Sequence, residues 1–126
     1  MIVCSYAQNF EDVMLWRAFK DLESGFYIDI GAQDPIIDSV SKLFYENGWR
    51  GVHVEPSPFY ASLLREDRVD EEVLEAAVGD VPGDLTFFEF PETGRSTGVE
   101  ATAADYSRQG HPCRSLQVRV VTLDEV

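Results

Sequence analysis

The sequence predicts an α/β domain built on a mainly parallel sheet. Short apolar runs stop at glycine or proline, amphipathic segments lie between them, and the two kinds alternate along the chain. Strand–helix–strand alternation of this kind favours parallel strands with helices packed on the sheet faces.

The first helix is expected from Phe10 to Leu22, with Asn9 as its cap and Asp12 in its first turn. Leu15, Phe19 and Leu22 repeat at helical spacing, Val13 and Trp16 widen that apolar face, and Gly25 ends the segment. Phe26 to Gly31 is aromatic and β-branched and reads as a buried strand. Asp34-Pro35 then opens a helix whose apolar face is Ile36, Ile37, Val40, Leu43 and Phe44, and Asn47-Gly48 closes it. Gly51 to Glu55 is a second strand halted by Pro56, and Ser57-Pro58 begins a third helix to about Arg65. Glu72 to Val78 is a third strand, and Asp80 to Asp84 is a turn. Leu85 to Phe90 is a strand able to fold back on a neighbour. Residues 91–112 read as loop around a short helix, and Gln117 to Val121 as a last strand.

The frame is therefore a Rossmann-like sheet with helices on both faces, ending after the third to fifth strand. A single domain is expected over 1–126, with a cap helix over 1–25 and cofactor-binding strand–helix units over 26–80. A hairpin, loop and final strand fill 81–126. Thr122-Leu123-Asp124-Glu125 has the form of a capping box, so a further helix is expected beyond it and the domain reads as incomplete. A short tail that happens to match the pattern is the alternative.

The composition is globular, 44% hydrophobic and 12% aromatic over 126 residues. The formal net charge of −13 opposes duplex nucleic acid and anionic membrane surfaces. It suits a small cationic ligand, although it is also an ordinary solubility feature. Cys4 and Cys113 are far apart and in no CxxC spacing, so neither a structural metal nor a disulfide framework is expected. No run of about 18 apolar residues would span a bilayer. Met1 to Phe10 lacks the pattern of a secretory signal, and a cytoplasmic setting is expected.

Ligands of open α/β sheets bind beyond the carboxyl ends of the strands. Here those ends carry Asp29-Ile30-Gly31-Ala32-Gln33-Asp34 and Glu55. A pyrophosphate needs several glycines at a helix N-terminus, but this loop offers only Gly31 between the carboxylates Asp29 and Asp34. A P-loop is excluded because no GK[ST] occurs. S-adenosylmethionine fits instead. It carries a sulfonium and an ammonium but no phosphate, and carboxylates favour those centres. Gly31 serves the tight turn, and Glu55 is placed to accept hydrogen bonds from both ribose hydroxyls. Asp29 sits in an apolar strand, where a charge needs a purpose. Asp34 also reads simply as a helix cap.

Four segments carry a family resemblance: Ser5 to Asp12, Gly25 to Ala32, Gly48 to Pro56 and Ala76 to Asp80. Together, and in this order, they resemble the FkbM family of methyltransferases over nearly the whole chain. The resemblance implies a class I methyltransferase fold that uses S-adenosylmethionine, commonly on hydroxyls of sugars or other natural products. It implies Asp29, Gly31 and Ala32 around the methionine portion, with Glu55 and the following Pro56 at the ribose. Ala76 and Ala77 would lie near the adenine, and Gln8, Glu11 and Asp12 over the pocket. Gln33 stands where the family often has asparagine. The family's later Ile-Asp-Val-Glu-Gly strand is not found, which leaves a binding or regulatory module without turnover as the alternative function. An NAD or nucleotide-sugar enzyme is a weaker one.

The expected partners are a small-molecule or glycan acceptor and, through a sheet edge, a second copy of the chain. His53 inside its strand and His111 in a loop are not expected to be catalytic. Gly94 to Gly98 reads as a flexible loop able to act as a lid, and Trp16 and Trp49 as core. No GxSxG elbow or metal-binding histidine cluster occurs. The sequence names no catalytic base.

Overall fold

The computed structural model describes residues 3–90, 98, 100–110 and 113–126. It is a mixed α/β arrangement of four helices, six short strands and one 3-10 turn. In chain order these are α1 (Glu11–Phe19), β1 (Phe26–Ile30), α2 (Lys42–Glu46), β2 (Arg50–Val54) and α3 (Pro58–Asp67). They are followed by β3 (Glu72–Leu74), β4 (Ala77–Val78), β5 (Gly83–Glu89), α4 (Glu100–Arg108) and β6 (Arg114–Val121).

The strands form two three-stranded sheets, ordered β1-β2-β3 and β4-β6-β5, in place of the single sheet expected. The first is parallel throughout, with Asp29 beside His53 and Val54 beside Leu74. In the second, β4 runs parallel to β6, whereas β5 pairs antiparallel with it from Gly83↔Val120 to Glu89↔Arg114. The expected third strand, Glu72 to Val78, is divided. Ala76 N–H turns back to Leu74 O at 3.1 Å, and the chain changes partner from β2 to β6 at that point. The fold-back expected of Leu85 to Phe90 is present as the antiparallel pairing of β5 with β6.

Two helix expectations are corrected. Helix α1 starts after Phe10, whose φ of 61° is left-handed, and the Asn9 side chain accepts no capping hydrogen bond. Its backbone N–H instead goes to Glu11 Oε2 at 3.0 Å. Helix α2 is one short turn. Asp34 Oδ1 accepts from Ile36 and Ile37 N–H at 2.8 Å, and Asp38 has φ 60°, which breaks any helical path through 34–40. Ser39 Oγ then accepts from Lys42 N–H at 3.1 Å and starts α2. Ile36 and Ile37, expected in an apolar face, are exposed. Helix α3 follows expectation, with Ser57 as cap and Pro58 in the first turn.

The core has two parts. Trp16, Leu43, Phe44 and Trp49 pack between α1 and α2, with Phe44 edge-on to both indoles at 5.6 and 5.0 Å. Val54, Ala76 and Val121 join the two sheets, with Leu74, Val78 and Val126 packed around them. The sequence predicts a buried strand at β1, but Phe26, Ile28 and Ile30 are 66%, 43% and 50% exposed. β1 is the edge strand of its sheet, and Phe26 and Ile28 line an open groove with Leu15, Phe19 and Leu22.

Candidate functional site

The tips of β1 and β2 meet at Gly31. Its φ of 69° suits glycine, and its N–H donates to Val54 O at 2.7 Å. The chain thus folds over the end of β2. A Cβ at Gly31 would meet nothing within 4 Å, so backbone conformation, not crowding, selects glycine there.

This turn delivers the backbone of Gln33 to Glu55. Gln33 N–H donates to Glu55 Oε1 and Ser57 N–H to Oε2, both at 2.8 Å. One lone pair on each oxygen is thereby taken and a second remains on each. Glu55 is buried, and that burial raises its pKa. The two backbone donors pull the other way without cancelling it, and the charges of Glu89 and Asp29 raise it further.

Asp29 shares a sheet face with His53, its partner across the β1–β2 ladder, and Glu55 follows directly after the end of β2, where the Asp29 charge acts on it. Asp29 Oδ2 accepts from Ser41 Oγ at 2.6 Å and lies 3.7 Å from His53 Nδ1, too long for a hydrogen bond. Burial alone would raise its pKa. The His53 ring, the Ser41 hydroxyl and the Arg68 charge outweigh burial and hold it below the usual carboxylate range. The two acids are thus driven in opposite directions, a pattern typical of working sites.

A buried ionic network backs Asp29. His53 Nε2 lies 2.8 Å from Glu71 Oε1, and Arg68 reaches Glu71 at 3.2 Å and the Tyr27 hydroxyl at 3.2 Å. Arg68 also donates to Pro35 O at 3.0 Å and to Asp67 at 2.9 Å. The side chains of His53, Arg68 and Glu71 are fully enclosed, so the Arg68 and Glu71 charges need each other and the polar groups around them. Tyr27 donates to Glu71 at 2.5 Å, and burial together with that bond raises its pKa.

The family model for the methyltransferase FkbM domain matches residues 29–126. The chain belongs to the FkbM methyltransferase family. No curated protein and no solved structure matches it significantly.

The other residues singled out in this FkbM domain have varied surroundings. Asp34 caps the turn after Gly31, which is its simpler role. Asp12 is fully buried and accepts from Ser5 Oγ and Tyr6 N–H at 2.7 Å, from Val13 N–H at 2.8 Å and from Ala7 N–H at 3.2 Å. Its carboxylate is thus committed to the N-terminal turn. The Tyr6 hydroxyl ties that turn to Glu46, where α2 leads into β2. Gln8 is exposed on the same turn. Ala32 N–H approaches Val54 O at 3.4 Å beside Gly31. Ala76 is committed to the core between the sheets, and Ala77 pairs with Val120. Pro56 lines a groove of about 410 Å³ with Pro58, Arg114 and Arg119. Asp29 opens onto an apolar groove of about 480 Å³ with Leu15, Phe19, Phe26, Phe44 and Trp49.

Trp16 and Trp49 are core, as expected. His111 and residues 94–97 of the expected lid lie outside the described residues. Among the described residues no His, Cys, Asp and Glu cluster could hold a metal, and no helix is long and apolar enough to cross a membrane.

Sequence reasoning missed Arg68, Glu71, Ser41 and Glu89. Arg68 and Glu71 fall in a run of charges that reads as a solvated turn. Glu89 carried a usable signal, since an acid within the apolar run Phe87 to Phe90 has the same standing as Asp29 within its strand.

Proposed function

We propose that this FkbM domain binds S-adenosylmethionine at the tips of β1 and β2 and serves O-methylation of a sugar or natural-product hydroxyl. The observation that carries the reading is the placing of an ionised Asp29 and a buried Glu55 at the adjacent ends of β1 and β2, inside a methyltransferase family match. The donor set fits the cofactor. A carboxylate held ionised suits a cationic centre, and Glu55 keeps a free lone pair on each oxygen for two adjacent hydroxyls. Gly31 leaves open space above the turn.

When bound, the cofactor supplies an electrophilic methyl group. The chain's part is to bind and orient it. Asp29 would hold the positive methionine end, backed by Ser41 and His53, while Glu55 would anchor the ribose through charge-assisted hydrogen bonds. The hydroxyl acceptor is the family's customary substrate class and is carried over from that resemblance.

The exposed flank of β1 favours a second reading, a module that binds cofactor without turnover. Phe26, Ile28 and Ile30 leave one side of Asp29's strand open to water, whereas methyl transfer benefits from its exclusion.

Calorimetric titration with S-adenosylhomocysteine tests binding, and saturable 1:1 binding is expected. A flat titration of folded protein would refute the cofactor reading. Transfer of labelled methyl from S-adenosylmethionine to a panel of sugar hydroxyls separates the two readings, because the module predicts binding with no labelled product.

A further inference from the structure

We propose that Glu89 on β5 is a positioning residue for Glu55, acting through Ser57, with Arg114 on β6 as its counter-ion; this rests on the cofactor reading above. Glu89 is fully buried, at 0% exposure, at the end of β5 in the second sheet. One of its oxygens accepts from the Ser57 hydroxyl and the other from Arg114, its neighbour across the β5–β6 ladder.

Ser57 is the hinge of this arrangement. Its hydroxyl has one proton, and that proton goes to Glu89. The oxygen keeps a lone pair to cap α3, where it accepts from Tyr60 N–H at 3.4 Å. Its backbone N–H donates to Glu55 Oε2 at 2.8 Å. A continuous set of hydrogen bonds therefore links Arg114 to Glu55: Glu89 accepts from Arg114 and from the Ser57 hydroxyl, the Ser57 N–H donates to one Glu55 oxygen, and the Gln33 N–H donates to the other. Helix capping alone does not require this. A capping serine needs only its lone pair, and an apolar residue at 89 would avoid burying a charge. The buried carboxylate makes sense as the group that fixes Ser57, and so the direction in which Glu55 presents its remaining lone pairs.

The charged groups acting on Glu55 are Asp29 from β1 and Glu89 from β5, with Arg114 of β6 paired to the latter. Both acids favour the protonated form of Glu55. Removing the charge at 89 should therefore ease ionisation of Glu55.

The test is S-adenosylhomocysteine binding by calorimetry across a pH series, using the full chain and the variants Glu89→Gln and Glu89→Ala. If the unmodified chain does not bind, the cofactor reading fails, whatever Glu89 does. If it binds, Glu89→Ala should weaken binding on the order of tenfold at neutral pH, the loss of one buried hydrogen bond to a charged group. Glu89→Gln keeps an acceptor for Ser57 while Arg114, 60% exposed at its side chain, can turn to water. This variant should stay within about threefold of the parent at neutral pH, because the acceptor is conserved. Its acid limb should move to lower pH. Folded Glu89→Gln protein with the parent's acid limb would overturn the proposal, and that variant decides the matter even if Glu89→Ala fails to fold.

Discussion

Glu55 at the tip of β2 is raised by burial, while Asp29 one strand away is lowered by the His53 ring, Ser41 and Arg68 acting against its own burial. The signs give opposite pH behaviour. Asp29 is lowered, so its stabilisation is complete above its unfolded value of about 3.9 and is lost as pH falls through the folded one. Glu55 is raised, so the folded state favours its proton. Stability falls as pH rises from about 4.3 through the folded value, and below that range Glu55 contributes no difference. Cofactor affinity should therefore decline on acidification through the Glu55 titration, with Asp29 still ionised. Glu55→Ala should weaken S-adenosylhomocysteine binding on the order of a hundredfold, the loss of two charge-assisted hydrogen bonds. Asp29→Asn should weaken it about tenfold. Calorimetry from pH 4 to 8 on folded variants checks all three expectations, and a pH-flat affinity for the parent would contradict the assignment of Glu55.

At the scale of elements, the site depends on how closely β1 and β2 approach. Gly51 is buried beside Tyr27, and a Cβ there would come within 2.1 Å of Tyr27 O and 2.3 Å of its ring. Its N–H also donates to Glu71 at 2.5 Å, which ties the strand to the ionic network under Asp29. Gly51→Ala should cost about 1–3 kcal/mol through strand displacement. Urea denaturation with circular dichroism measures it, and an unchanged midpoint would show that the strands have room. Strand existence and helix α3 were legible because periodicity and Ser57-Pro58 act within a few residues. Helix α2 was misread because the left-handed turn at Asp38 and the capping by Ser39 left no distinctive mark in an otherwise helical apolar pattern.

For the whole molecule, the two sheets meet at Val54, Ala76 and Val121, so the tips of β1 and β2 and the antiparallel pair bearing Glu89 are expected to unfold together. Val121→Ala should cost about 2 kcal/mol by leaving a cavity at that junction, and should lower one shared transition. Tryptophan fluorescence follows Trp16 and Trp49 on the first sheet's side while far-ultraviolet circular dichroism follows the whole chain. Separate midpoints from the two signals would show independent units.

By itself the sequence determined the alternation of strands and helices, the family, and the acids and glycine at the strand tips. Each of these is written in local order, as periodicity, turn chemistry or motif. Only the tertiary structure decided that the strands divide into two sheets and that one face of β1 is exposed. It also decided that Arg68, Glu71 and Glu89 stand buried behind the site. Those outcomes depend on contacts between distant segments, such as Glu89 with Ser57 and Arg68 with Tyr27. A charged residue far along the chain looks the same whether it ends in water or in the core, and its partners alone determine which.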